Sequence, residues 1–325
     1  MATYLITGIA GFIGSNIAHE LVRRQQTVRG FDNFETGKRE NLETLKNKIE
    51  FRELSLLEAA QVADFCRGAD YVIHQAAIAS VPRSVMDPVR SHDSNITGTL
   101  NVLLAARAAG VKRVVYAASS SAYGDTPTLP KHEGMLPHPI SPYAVQKLCG
   151  ELYMNSFSQV YGLETVSLRY FNIFGPRQDP SSQYSGVLAK FITQMVEGKK
   201  CTVFGDGEQS RDFTYVDNAV SANLLACSAP AEKVNGRVFN IATGVRFSLN
   251  QTFEMLSSLL GYSEKPAYAE ARAGDVKHSL ADISQARESL GYRPTVEFAE
   301  GLRRTVDWYR GAQQRSYTSP AQGAK

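Results

Sequence analysis

The stretch TGIAGFIG, residues 7–14, constrains this chain more than any other. An apolar, strand-prone run, Tyr4–Thr7, leads straight into glycines at every third position, Gly8, Gly11 and Gly14. A helical period, Ile13, Ile17 and Leu21, follows. Strand, glycine turn and helix in that order place backbone N–H groups where a pyrophosphate can approach them. The spacing differs by one residue from the G-x-G-x-x-G dinucleotide fingerprint, so by itself it reads only as a glycine-rich turn. Asp32 strengthens it, because it closes the second apolar run 18 residues past Gly14. A carboxylate there can accept both hydroxyls of an adenosine ribose and repel a 2′-phosphate, which favours NAD over NADP. Lys38 and Arg39 lie close by and pull the other way.

The same rhythm continues. Val28–Phe31, Tyr71–Ala76, Val114–Ala118 and Thr165–Phe171 read as strands, separated by helical stretches such as Leu100–Ala109. Near-continuous apolar strands alternating with helices predict an α/β fold, a doubly wound parallel Rossmann sheet. At 325 residues the chain is about twice the ~150-residue prior for one domain. Residues 1–175 read as the nucleotide domain. Beyond Gly175 the loop chemistry of GPRQDPSSQYSG opens a smaller mixed α/β domain, 176–325, with segment 212–243 returning to the first domain and a polar, disordered tail from about 311. A net charge of +3 without a dense basic block gives no footprint for nucleic acid. No apolar run reaches the ~18 residues of a membrane span. The N-terminal stretch lacks a basic leader. Cys66, Cys149, Cys201 and Cys227 are scattered without metal-ligand spacing, so no metal is expected and the thiols suit a reducing cytoplasm.

Two further motifs carry chemistry. In YAASSSAYGD, residues 116–125, a strand ends in three serines. In SPYAVQK, Pro142 can start a helix with Tyr143 and Lys147 at i, i+4 on one face. An ammonium beside a phenol stabilises the phenolate, which can accept a hydroxyl proton while hydride leaves the same carbon. Such a pair arises freely on ordinary amphipathic helices. Here it follows a dinucleotide turn, and strand ends and helix N-termini of a doubly wound sheet converge on the cofactor crevice.

With these residues together the chain resembles an extended short-chain dehydrogenase/reductase. Within that group it is similar to nucleotide-sugar 4-epimerases, closest to bacterial UDP-N-acetylglucosamine 4-epimerases. The segments are GIAGFIGSN, DNFETG, HQAA, YAASSSAYGD, SPYAVQK, LRYFNIFGPRQDP, GDGEQSRDFTYVDN and AGDVKHSLADIS, spanning residues 4 to about 292. The resemblance implies a homodimer with NAD as cofactor and a UDP-sugar as substrate. It implies that Gly8, Gly11, Phe12, Ile13 and Gly14 hold the pyrophosphate and that Asp32 and Asn33 hold the ribose. Gln75, Ala76 and Ala77 line the dinucleotide, and Asn95 and Tyr170 complete its site. Tyr143 becomes the general base and acid, Lys147 holds the nicotinamide ribose and tunes Tyr143, both of them touching the cofactor, and Ser119 orients the sugar O4. Ser80, Ser120, Ser121, Asn172, Gln178, Val187, Val203, Phe204, Arg211, Arg272, Asp275 and Ser279 form the substrate site. One departure concerns adenine: relatives often carry Gly-Asp after the third strand, where this chain has Leu54 and Ser55, so that Ser55 and Leu56 are the residues implied at the cofactor there.

Dehydratases and many decarboxylases of this group carry a carboxylate beside the catalytic hydroxyl. Ser120 and Ser121 stand there instead, and they are poor acid/base groups near neutral pH. The resemblance therefore implies 4-epimerisation, in which net redox is zero. Ser279 falls where glucose-restricted relatives have a bulky tyrosine, and a serine leaves room for an N-acetyl group. Plain UDP-glucose or a UDP-hexosaminuronic acid, whose carboxylate Arg83 can meet, remain as other substrates. A non-catalytic NAD-binding regulator is the alternative outside enzymology.

Overall fold

The computed structural model describes residues 1–180, 186–270 and 277–318. Seven parallel strands form the main sheet. Six come in chain order: β1 (Thr3–Thr7), β2 (Thr27–Asp32), β3 (Glu50–Glu53), β4 (Tyr71–His74), β5 (Arg113–Ser119) and β6 (Glu164–Tyr170). The spatial order runs β3-β2-β1-β4-β5-β6, and the late strand Arg237–Ile241 pairs with β6 to complete the far edge. The order reverses between β1 and β4, so the crevice at their C-terminal ends is the topological switch point where a doubly wound sheet binds its ligand.

The interior of the sheet is built as its sequence dictates. β5 is buried from Arg113 to Ala118 and only Ser119, its last residue, reaches the crevice edge. β3, by contrast, reads EFRE, carries three exposed residues and, among the described residues, pairs with β2 alone. Its charged side chains suit an edge that must resist pairing with other chains, and they hide it from an apolar-run search. β4 ends at His74, two residues before the apolar run does, because residues 75–77 turn into the crevice. Two clusters of buried side chains fill the two faces: one around Leu5, Phe65 and Val114, the other around Ile17, Leu168, Phe191 and Leu302, which continues beneath the second domain.

After Tyr170 the chain alternates between domains. Helix Val187–Val196 and helix Leu249–Leu260 belong to the smaller unit, while helix Val216–Ser228 packs on the main sheet against helix Phe12–Arg23. Helix Phe298–Thr318 runs past residue 311, where the polar composition predicts disorder. Gln313, Gln314 and Arg315 are good helix formers, and a helix already nucleated can propagate through them. Among the described residues no helix is long and apolar enough to cross a membrane, and no group of three or more His, Cys, Asp or Glu residues is placed to hold a metal ion.

Candidate active site

The glycine turn is held by contacts that admit no side chain. Gly8 sits at φ +69°, and a Cβ there would stand 2.7 Å from the backbone of Ala76. One on Gly14 would stand 2.2 Å from the Gly8 carbonyl oxygen. The turn is stitched to β2, with Gly8 N donating to Phe31 O at 2.9 Å. Among the described residues no side chain caps the N-terminus of helix Phe12–Arg23, and its first amides belong to Phe12, Ile13 and Gly14. An anion is the partner that such a terminus lacks. Asp32 accepts from Ala10 N at 3.0 Å and from Phe34 N at 2.8 Å. Burial pushes its carboxyl above the ordinary range, and those backbone amides oppose the shift.

A cavity of about 360 Å³ opens beside this turn. Gly8, Gly11, Asp32, Asn33, Ser55, Leu56, Gln75, Ala76 and Ala77 all line it. Uncapped helix amides, a carboxylate at the end of β2 and a groove with apolar walls fit an adenine dinucleotide. Tyr170 sits behind Gln75, accepting from Gln75 Nε2 at 2.9 Å and from Asn223 Nδ2 at 2.7 Å. Asn95 does not reach the cavity. Its amide is spent on Ile78 N, Ile78 O and Gln146 Oε1, at 2.8, 3.2 and 2.8 Å, which leaves it bracing the crevice wall.

The serine motif and the tyrosine–lysine motif meet each other. Ser141 caps helix Pro142–Tyr161 by accepting from Ala144 N, and Pro142 occupies its first turn. This seats Tyr143 and Lys147 one turn apart, with Tyr143 N donating to Ser84 Oγ at 3.0 Å. Burial raises the Tyr143 phenol above its ordinary value, and a hydrogen bond with Ser119 opposes that rise. Ser119 Oγ accepts from Ser121 N at 3.2 Å and from Ser121 Oγ at 2.9 Å, which leaves the Ser119 proton for Tyr143. Lys147 donates to Ala117 O at 2.8 Å and lies 5.0 Å from the Tyr116 ring centroid. Burial pulls its ammonium down to about 7, against the pull of Glu151 one turn further on. Glu151 is in turn locked by Arg169 across 2.7 Å, both side chains buried. The i, i+4 ladder Tyr143, Lys147, Glu151 was the available signal for this third member, and it is easily missed because the pair already looks complete.

A second cavity of about 490 Å³ lies toward the smaller domain. Asn172, Gln178, Val187, Phe204 and Arg211 line it, as do Lys190, Gln194 and Gln209, which sequence reasoning did not pick out. Ser279 joins through a hydrogen bond from Asn172 Nδ2 at 3.4 Å. Val203 does not line it. The period of two along strand Thr202–Phe204 turns Val203 into the core and leaves Phe204 on the cavity side. Ser80 spends its hydroxyl as the N-cap of helix Val81–Met86, accepting from Arg83 N. Arg272 and Asp275 lie outside the described residues.

Comparison with known proteins agrees with this geometry. The model of the NAD dependent epimerase/dehydratase family matches residues 4–242. A UDP-glucose 4-epimerase of Mycolicibacterium smegmatis is 37% identical over 316 residues, covering 95% of this chain and 99% of that protein. A UDP-glucuronate 4-epimerase of Thermodesulfobacterium geofontis is 36% identical over 320 residues, covering 95% and 96%. Among solved structures, the UDP-N-acetylglucosamine 4-epimerase of Methanobrevibacter ruminantium M1 in complex with UDP-N-acetylmuramic acid superposes with a TM-score of 0.91. It is 40% identical, covering 96% of this chain and 99% of that one. With that family model matched over most of its length and with relatives of this similarity, the chain belongs to the NAD dependent epimerase/dehydratase family, and its relatives include UDP-sugar 4-epimerases.

Proposed function

We propose that this chain is a cytoplasmic UDP-sugar 4-epimerase whose preferred pair is UDP-N-acetylglucosamine and UDP-N-acetylgalactosamine. The observation that carries the substrate is Ser279, a small residue that accepts a hydrogen bond from Asn172 on the wall of the second cavity. The four thiols, unpaired and mostly buried, support the compartment.

NAD, when bound, supplies the acceptor and later the donor of the C4 hydride. Tyr143 takes the proton from the sugar O4 and returns it to the same oxygen after the sugar has presented its other face. Ser119, donating to Tyr143, steadies the oxygen on which negative charge develops. Lys147, with one donor spent on Ala117 O, has the remaining N–H groups for the cofactor's ribose and holds positive charge beside the phenolate. Arg211, on the wall of the second cavity, suits a diphosphate because a guanidinium grips two oxygens at once. Ser120 and Ser121 offer no carboxylate to carry the 4-keto sugar on to dehydration.

Incubation with UDP-N-acetylglucosamine, UDP-glucose and UDP-glucuronate in parallel tests the reading. Conversion of the first to its 4-epimer at the highest kcat/KM is the expected result. Conversion of UDP-glucose with no UDP-N-acetylgalactosamine formed would overturn the substrate assignment. Tyr143→Phe is expected to lower kcat by roughly 10²–10⁴-fold, the usual contribution of a positioned acid/base. UDP-glucuronate is the second reading, favoured by Arg83, which lines a small cavity with Ile78 and Arg90 beside the crevice.

A further inference from the structure

A buried chain of hydrogen bonds runs from the glycine turn to the Tyr143/Lys147 helix, and none of its central links touches either cavity. It starts at Ala76 N, which donates to Thr7 Oγ1 at 3.1 Å. Thr7 Oγ1 then meets His74 Nδ1 at 2.7 Å, and His74 Nε2 meets Thr99 Oγ1 at 3.0 Å. Thr99 Oγ1 donates to Asn95 O at 2.7 Å, so its single proton is committed. His74 must therefore donate from Nε2 and accept at Nδ1 from Thr7, which settles the tautomer and the direction of the links through Thr7 and Thr99. Asn95 Nδ2 donates to Gln146 Oε1 at 2.8 Å, and Gln146 Nε2 donates to Ser91 Oγ at 2.9 Å. Gln146 is the residue before Lys147.

Thr7, His74, Thr99, Asn95, Gln146 and Ser91 are each at most 4% exposed. In such surroundings an unmade hydrogen bond costs more than a made one contributes, so the chain behaves as a unit with one low-energy arrangement. Imidazolium is excluded from it: burial holds His74 down to about 3, with Lys147 adding to the shift. The chain starts at the backbone that walls the dinucleotide groove, since a Cβ on Gly8 would collide with Ala76, and ends on the helix that carries the acid/base residues.

We propose that His74 is a positioning residue, which through Thr7 on one side and Thr99, Asn95 and Gln146 on the other couples the seat of the dinucleotide to the seat of Tyr143 and Lys147. The role rests on the proposed acid/base function of Tyr143 but can be read without turnover. Thr99→Val keeps the shape and removes one hydroxyl at the middle of the chain. Gln146→Met severs it at the far end, and Thr99→Ser restores the hydroxyl.

The experiment combines steady-state kinetics with amide hydrogen exchange of the full chain, with and without saturating NAD. In the parent protein NAD is expected to slow exchange both around residues 8–14 and along helix Pro142–Tyr161. In Thr99→Val and Gln146→Met the slowing is expected to persist at the turn and to shrink severalfold on the helix. Their kcat is expected to fall at least tenfold with KM within twofold, and Thr99→Ser to recover both. Helix protection by NAD in both severed variants equal to the parent, or loss of kcat that Thr99→Ser does not recover, would overturn the proposal. If the parent converts no UDP-sugar but the exchange pattern follows the variants as stated, the functional reading fails and the coupling stands.

Discussion

Lys147 shows how far one residue's position departs from what its stability alone would select. Its ammonium is 3% exposed, and burial lowers it from 10.5 to about 7. Between those two values the unfolded chain binds the proton that the folded chain has released, so stability rises with pH across that window. Below pH 7 the full cost of holding a buried ammonium is present. Lys147→Met is therefore expected to stabilise the fold at pH 6 by on the order of a few kcal/mol, less about 1 kcal/mol for the lost bond to Ala117 O. That gain should shrink through pH 8 and be gone near pH 10.5, while activity is lost throughout. Urea unfolding at three pH values measures it, and a gain that grows with pH would show the burial argument to be wrong. The meeting of Ser119 with Tyr143, one turn from Lys147, was legible in the sequence because such residue types at fixed spacing after a strand end stand out. Thr99 and Gln146 were not, since a buried threonine and glutamine on helices look like any others until their partners are known. His74 stood within a motif but gave no sign of its two threonines, which come from distant parts of the chain.

At the scale of elements, the loop after β2 packs against the Asp32 carboxylate. Gly37 packs so close to the Asp32 carboxylate that a Cβ would stand 2.8 Å from both its oxygens, and Lys38 N donates to Ala10 O. Two cations, Lys38 and Arg39, follow Gly37 directly in the chain, near the residue expected to meet the adenosine ribose. Both are engaged elsewhere: Lys38 pairs with Asp179 at 2.9 Å, and Arg39 pairs with Glu53 at 2.6 Å and lies over the Phe34 ring. The double substitution Glu53→Gln/Asp179→Asn is expected to improve NADP binding relative to NAD by roughly three- to tenfold, in line with about 1 kcal/mol from such exposed pairs. Calorimetric titration with each dinucleotide reads the ratio, and an unchanged ratio would leave Asp32 as the sole discriminator. The alternation of strands and helices was legible here, and helix Leu249–Leu260 follows its sequence period from end to end. β3 escaped because an exposed edge strand has no apolar run to announce it. The partners of Lys38 and Arg39 escaped because they come from residues 53 and 179, and no local pattern records such pairings.

At the scale of the whole molecule, Leu104, Val145, Leu152 and Val160 stay between 46% and 68% exposed on helices Gly98–Ala108 and Pro142–Tyr161. Aliphatic side chains on two neighbouring helices form the kind of face that a second copy covers. Leu152→Asp with Val160→Asp is expected to convert a dimer to a monomer in sedimentation, and an unchanged mass would remove that face from consideration. The sheet itself has a further dependence. Arg113 is buried at the foot of β5, pairs with Glu164 at 2.5 Å and donates to the carbonyls of Ala226, Cys227 and Ala229 at the end of helix Val216–Ser228. The outer edge of β6 is covered only when Arg237–Ile241 arrives. A fragment of residues 1–175 leaves that guanidinium half-partnered and that strand edge bare, and it is expected to aggregate rather than fold. During synthesis the ribosome thus releases every glycine of the cofactor turn, and Tyr143 and Lys147 after them, well before the sheet that must hold them can close. The nascent chain carries the residues of its proposed chemistry early and the last strand of its sheet late.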